Sequence, residues 1–162
     1  DYPDFPKKDI IFKDISPVIA DPELFSDLIE KISQYNFFRN TDAIIAIDAR
    51  GFIFGSALSK TIKKPLILAR KKNKLPGLLI EANYGLEYGK DSLSIQESAI
   101  QPFKKFVIID DLLATGGTAK AVVNLIESLG GEVVQCNFLM IISFLKGSEK
   151  LKDYNVASVL SY

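Results

Sequence analysis

Short apolar runs rich in β-branched residues alternate along the chain with segments of helical periodicity, and that alternation limits the fold more than any other feature. Ala43 to Ile47 is apolar throughout and ends at Asp48. After Gly51, the residues Phe52, Ile53, Ala57, Leu58 and Ile62 follow a helix-like period. Pro65 to Ala69 and Phe106 to Ile109 read as two more buried strands, the second with Asp110 at its carboxyl end. Asp21-Pro22-Glu23 supplies an N-cap, a first-turn proline and an acidic first turn for a helix predicted from Pro22 to Tyr35. A second helix is predicted from Gly117 to Leu129, stopped by Gly130-Gly131. Val133 to Ile142 and Val156 to Leu160 complete the strands. The pattern predicts an α/β fold, a central and mostly parallel sheet flanked by helices, with ligands beyond the carboxyl ends of the strands.

Two stretches fall outside the alternation. Residues 1 to 20 hold three of the seven prolines and the apolar Ile10-Ile11-Phe12, and read as an extended arm with turns. Residues 70 to 102 join a cationic cluster to a Gly-, Tyr- and Glu-rich stretch with only a weak strand pattern. A connection of that length inside a compact domain is usually functional, so it is a candidate lid. At 162 residues the whole chain fits one domain, and 48% hydrophobic with 25% charged residues is a globular composition.

Composition also excludes. Lys plus Arg and Asp plus Glu balance at 20 each, so no global field attracts nucleic acid or an anionic membrane, and any anion must be captured locally. The chain has no histidine, which removes the Ser-His-Asp triad, the Cys-His pair and imidazole zinc ligands. The single cysteine, Cys136, cannot form an internal disulfide, and with no base to activate it reads as a small buried hydrophobe. No apolar run approaches the roughly 20 residues of a membrane span, and no secretory signal pattern opens the sequence. The expectation is a cytoplasmic protein.

The chemistry concentrates between Val107 and Thr118. A strand ends at the carboxylates Asp110 and Asp111, and Ala114-Thr115-Gly116-Gly117-Thr118 then turns directly into a helix. The glycines allow close backbone approach, the unpaired amides of the first helical turn favour an anion, and Thr115 and Thr118 add hydroxyl donors. Those parts suit one phosphate monoester. The lysine of a P-loop and the triple-glycine dinucleotide fingerprint are both missing, so the acids need another partner, and vicinal ribose hydroxyls fit. The alternative is an ordinary strand-to-helix turn with capping threonines and solvated acids.

This segment resembles the phosphoribosyl pyrophosphate (PRPP) binding motif of type I phosphoribosyltransferases, in its adenine-specific form. Three other stretches match in family order: Phe12-Lys13-Asp14-Ile15-Ser16-Pro17, Asp48-Ala49-Arg50-Gly51-Phe52, and Arg70-Lys71-Lys72-Asn73-Lys74-Leu75-Pro76-Gly77 continuing to Leu86-Glu87-Tyr88-Gly89-Lys90. The resemblance implies that Asp110 and Asp111 hold the ribose hydroxyls and that Ala114, Thr115, Gly116, Gly117 and Thr118 hold the 5-phosphate. It gives Arg50, Arg70, Lys71, Lys74 and Tyr88 to pyrophosphate, and Glu87 to the neighbourhood of the purine N7. The arm becomes a hood, in which the backbones of Ile11 and Lys13 read the amidine edge of adenine and Phe12 stacks on the ring.

Each stretch also has a plainer reading. Arg50-Gly51 could be a helix-start glycine with a surface arginine. Four cations within residues 70 to 74 are commonly a solvated face. The lid could be an exposed hairpin with an ordinary glutamate, and the arm could simply pack Phe12 and Ile15 into the core. Four positions depart from the family pattern: Lys13 stands for arginine, Ala49 for serine and Gly85 for serine, and Leu139 to Ile142 lacks a frequent glutamate. The implied reaction is transfer of the 5-phosphoribosyl group from PRPP to N9 of adenine, giving AMP and pyrophosphate. Mg²⁺ would be held mainly through PRPP with no direct protein ligand, and the family implies a homodimer. The alternatives are a transferase for another base, such as xanthine or orotate, and a non-catalytic PRPP-sensing module.

Overall fold

The structure, a computed structural model of the chain, describes residues 1–4, 8, 11–84 and 91–162. Two short strands open it, β1 (Tyr2–Pro3) and β2 (Ile11–Phe12), paired antiparallel. Helices α1 (Ser16–Ala20) and α2 (Pro22–Ser33) follow. The α2 start was legible because the Asp21 side chain accepts from the Glu23 and Leu24 amides, as an N-cap must. Beyond them come β3 (Ala43–Ile47), α3 (Gly51–Ile62), β4 (Leu66–Lys71), β5 (Leu79–Tyr84), β6 (Asp91–Gln96), α4 (Glu97–Ile100), β7 (Lys105–Leu113), α5 (Gly117–Ser128), β8 (Glu132–Ile141) and β9 (Val156–Ser161).

Seven strands form one sheet in the order β5-β6-β4-β3-β7-β8-β9. β4, β3, β7, β8 and β9 run parallel to their neighbours, and the β5–β6 hairpin adds antiparallel to β4. A parallel sheet is covered on both faces, which is why β3 is apolar at every position. The period of two divides its residues between layers. Ala43, Ile45 and Ile47 join Ile108, Val122, Val123, Ile126 and Phe138 in one apolar cluster. Ile44 joins Ile29, Ile32, Phe54, Leu58 and Val107 in the other.

Several sequence expectations differ from the fold, the first being the arm, expected to be extended with turns but closed by the helix α1. The strand predicted at Phe106 to Ile109 runs on to Leu113, so Asp110 and Asp111 lie inside β7 and not past its end. Pairing with β8 continues through Asp110, Leu112 and Leu113, partners that no local pattern reveals. The helices predicted to Tyr35 and Leu129 end at Ser33 and Ser128. Residues 70 to 102 are not one long connection either, since they hold the end of β4, the β5–β6 hairpin and α4. Their strand pattern was weak because Ser92 and Ser94 are buried along with the apolar Leu93 and Ile95 that alternate with them. Residues 85 to 90, which join the hairpin strands, lie outside the described residues.

β3 matches β7 only as far as Ala46 against Ile109, so β7 overhangs its neighbour and leaves the acidic pair at an open edge. Chain direction also diverges there, toward β4 on one side and β8 on the other, which makes it a topological switch point. Ile108, fully buried on β7, anchors that overhang. Ile108→Ala is expected to lower stability by about 2–5 kcal/mol, read from urea unfolding; a midpoint unchanged from the parent would contradict the placement of β7 at the centre of the core.

Candidate active site

Gly51 determines how closely α3 approaches the acidic pair. A Cβ there would lie 2.8 Å from the Ile109 carbonyl oxygen and 3.0 Å from Asp110 Oδ1. Without that Cβ, the start of α3 sits against β7 and the preceding residue, Arg50, reaches across it. Arg50 Nε stands 2.8 Å from Asp111 Oδ2, with the arginine side chain 40% exposed and the aspartate 7% exposed. Its guanidinium carbon is also 5.7 Å from the centroid of the Phe12 ring, within cation–π range. One arginine thereby joins the acids of β7 to the N-terminal arm. The peptide bond between Asp48 and Ala49, at the end of β3, is cis.

Arg70 occupies the end of the neighbouring strand. Its Nε donates to Asp48 Oδ2 at 3.2 Å, an Nη donates to the Lys74 carbonyl at 3.3 Å, and its guanidinium carbon lies 5.6 Å from the Phe52 ring. Asp48, directly after β3, has no role assigned from sequence, yet its carboxylate holds Arg70 at the end of β4. Lys71 and Lys74 are exposed, so of the predicted cation cluster only Arg70 is held by side-chain contacts to residues of this site.

Burial pushes the Asp110 carboxyl well above its ordinary value of 3.8, and the adjacent Asp111 adds to the rise. The Asp111 amide, which donates to Asp110 Oδ1 at 2.8 Å, and the Arg50 charge pull in the opposite direction. Beyond the acids, residues 114–118 enclose a cavity of about 80 Å³ that Asp110, Leu112, Leu113 and Ala119 also line. Gly116 has φ 75°, a left-handed conformation that favours glycine, and serves as the N-cap of α5. The first amides of α5 therefore open onto that cavity, where an anion is favoured.

On the arm, Asp14 accepts from the Ser16 amide at 2.9 Å and its hydroxyl at 2.6 Å, and these bonds hold its carboxyl below the usual range. Ile15 is buried in the α2–α3 cluster, as the plainer reading expected, whereas Phe12 is only half-buried and Ile11 is 59% exposed. The Lys13 ammonium pairs with Asp1 at 2.8 Å and lies 4.0 Å from the Tyr162 ring centroid. Glu87 and Tyr88 lie outside the described residues. Cys136 is buried in the core, and burial pushes its thiol up to about 12, which leaves it inert at neutral pH.

An acidic pair, a glycine turn with its cavity and two guanidinium groups are gathered at one switch point. The phosphoribosyl transferase domain family matches residues 20–161. An adenine phosphoribosyltransferase of Prochlorococcus marinus (strain MIT 9515) is 52% identical over 151 residues, 93% of this chain and 88% of that one. The crystal structure of adenine phosphoribosyltransferase from Thermoanaerobacter pseudethanolicus superposes with a TM-score of 0.92 at 44% identity, covering 99% of this chain and 94% of that chain. The Saccharomyces cerevisiae enzyme, solved with D-2,5-dideoxy-2,5-imino-altritol 1,6-bisphosphate and adenine, has a TM-score of 0.87 at 36% identity, covering 97% and 91%. The chain belongs to the phosphoribosyl transferases and, within them, to the adenine phosphoribosyltransferase family.

The raised Asp110 carboxyl has a consequence for stability. Where a folded-state pKa lies above the unfolded one, the native state binds more protons, so its stability is greatest below about 3.8 and falls as pH rises through the folded value. Asp110→Asn removes that penalty and can keep the bond from the Asp111 amide. It is expected to raise the urea midpoint at pH 7.5, with the gain vanishing toward pH 3.5, while PRPP affinity falls. A midpoint lowered at pH 7.5 would contradict the burial of this carboxyl.

Proposed function

We propose that the chain transfers the 5-phosphoribosyl group of PRPP to N9 of adenine, giving AMP and pyrophosphate in purine salvage. The observation that carries this is the overhang of β7, with Asp110 and Asp111 one residue apart and the Gly116 turn only a few residues on. A ribose 5-phosphate spans that interval with its phosphate on the amides of residues 114–118 and its 2- and 3-hydroxyls donating to the two carboxylates. The relatives named above carry this same activity in their names, and the yeast enzyme was solved with adenine in place.

The bond from the anomeric carbon to pyrophosphate breaks, with its electron pair leaving on the pyrophosphate, and N9 supplies the pair for the new bond as its proton is lost. Positive charge develops at the anomeric carbon, and the carboxylates beneath the ribose stabilise it. Arg50 and Arg70 pair with Asp111 and Asp48, and the leaving pyrophosphate would take them from those carboxylates. Lys71, Lys74 and Tyr88 are assigned to the same group by resemblance, and Glu87 to the purine N7. Ile11 and Lys13 would read the adenine edge through backbone groups, a pattern of donor and acceptor that 6-oxopurines reverse. Phe12, beside Arg50, would cover the ring.

Asp110 and Asp111 would meet a hard cation only indirectly, through the ribose hydroxyls of PRPP that carry it in, with no direct protein ligand. Mg²⁺ bound in that way would supply positive charge to the departing pyrophosphate. Among the described residues, no helix is long and apolar enough to cross a membrane. A cytoplasmic setting, which a single cysteine with no internal disulfide partner suits, and a homodimer, which the family resemblance implies, complete the proposal.

Pyrophosphate release from PRPP, assayed with adenine, hypoxanthine, guanine, xanthine and orotate, tests the assignment. Adenine is expected to be turned over well above the others, and equal turnover of any other base would overturn it. In the same assay Glu87→Gln is expected to lower kcat by about 10²-fold or more, the ordinary contribution of a positioned acid or base.

A further inference from the structure

Gly147 is buried at the start of the 3-10 helix Gly147–Leu151 and has no obvious backbone reason to be glycine, since its φ is not among the positive ones. Its neighbours supply the reason. A Cβ built on Gly147 would overlap the Ala114 carbonyl oxygen and come within 2.9 Å of the Gly116 amide nitrogen. Conversely, a Cβ on Gly116 would overlap the Gly147 carbonyl oxygen and lie 3.1 Å from its Cα. The two backbones touch with no room for a methyl group on either side.

The segment bearing Gly147 is tied down on both flanks of the phosphate loop. Before the loop, the Ile142 amide donates to the Leu113 carbonyl at 3.0 Å. After it, Leu151 is fully buried in the cluster that contains α5. The Tyr154 hydroxyl donates to Glu127 on α5 at 2.8 Å and accepts from Lys120 at 3.2 Å. Lys120 in turn gives its amide to the Gly116 carbonyl at 3.0 Å. Residues 142–154 thus make a braced floor, and the amides of the loop point where that floor holds them.

We propose that Gly147 is a positioning residue for the 5-phosphate of the donor, through the backbone of Ala114 to Gly116 that rests on it. The proposal deepens the transferase reading and rests on it. A methyl group at this position lifts the turn toward the phosphate, and misplacement of such donors by about 1 Å can cost up to 10²-fold in rate or affinity.

The test compares wild type with Gly147→Ala, using Ser148→Ala as a neighbouring control. Titration calorimetry with PRPP and Mg²⁺ is expected to show binding weakened about 10- to 100-fold in Gly147→Ala and unchanged in Ser148→Ala. The KM for PRPP rises correspondingly, while the KM for adenine at saturating PRPP stays near wild type and the melting temperature without ligand falls by a few degrees, because the methyl group overlaps buried backbone. A folded Gly147→Ala that binds PRPP as tightly as wild type overturns this inference and leaves the transferase reading standing; wild type that binds no PRPP overturns that reading and this inference with it. Amide exchange of the wild-type protein needs no variant to fold. Residues 114–118 and 145–149 are expected to gain protection together when PRPP is added, and protection confined to the loop would also overturn the inference.

Discussion

A carboxylate taken out of water needs a counter-charge, and here the ion pair between Arg50 and Asp111 supplies it. Leaving Asp111 unpaired in its buried position would be strongly destabilising. The rest of the site follows from how that arginine is delivered. It arrives because α3 can rest directly on β7, which in turn requires a residue without Cβ at Gly51. From the same position Arg50 faces Phe12, so the hood and the acidic pair share one anchor. Asp48 and Arg70 repeat the arrangement on the adjoining strands. Both cations therefore rest on carboxylates, and in the proposed function a pyrophosphate takes them over with stronger charge pairing.

Asp110 illustrates how binding and stability pull apart at such a site. Its carboxyl is pushed up by burial and by its neighbour, so the fold would be better served by a neutral group there. A sugar diol, on the other hand, needs an acceptor. The arrangement is tolerable because β3 is apolar throughout and Phe106 to Ile109 of β7 are buried behind the overhang, and these supply the stability that the mouth of the site gives up.

Local features carried most of what was legible in advance. The alternation of apolar runs and helical periods gave the parallel sheet, and the Asp21 cap gave the start of α2. Val107 to Thr118 gave the anion loop, because strand, acids, glycines and helix are contiguous there. What remained hidden depends on contacts between distant segments. The pairing that extends β7 to Leu113 comes from β8, the role of Asp48 comes from Arg70, and the floor under Gly116 comes from Gly147. The β5–β6 hairpin was hidden for another reason, since buried serines at alternate positions mask the period of two. Of the cations at 70 to 74, sequence order could not tell the inward Arg70 from the exposed lysines beside it.

In the proposed function the phosphate loop and acidic pair take the ribose phosphate and the N-terminal arm takes the base; the two halves meet at Arg50. A crystal structure of the protein with AMP tests that account most directly. The account requires the 5-phosphate within hydrogen-bonding distance of the amides of residues 115–118, the ribose hydroxyls on Asp110 and Asp111, and the adenine beneath Phe12. A phosphate bound elsewhere, with the 114–118 turn empty, would contradict it.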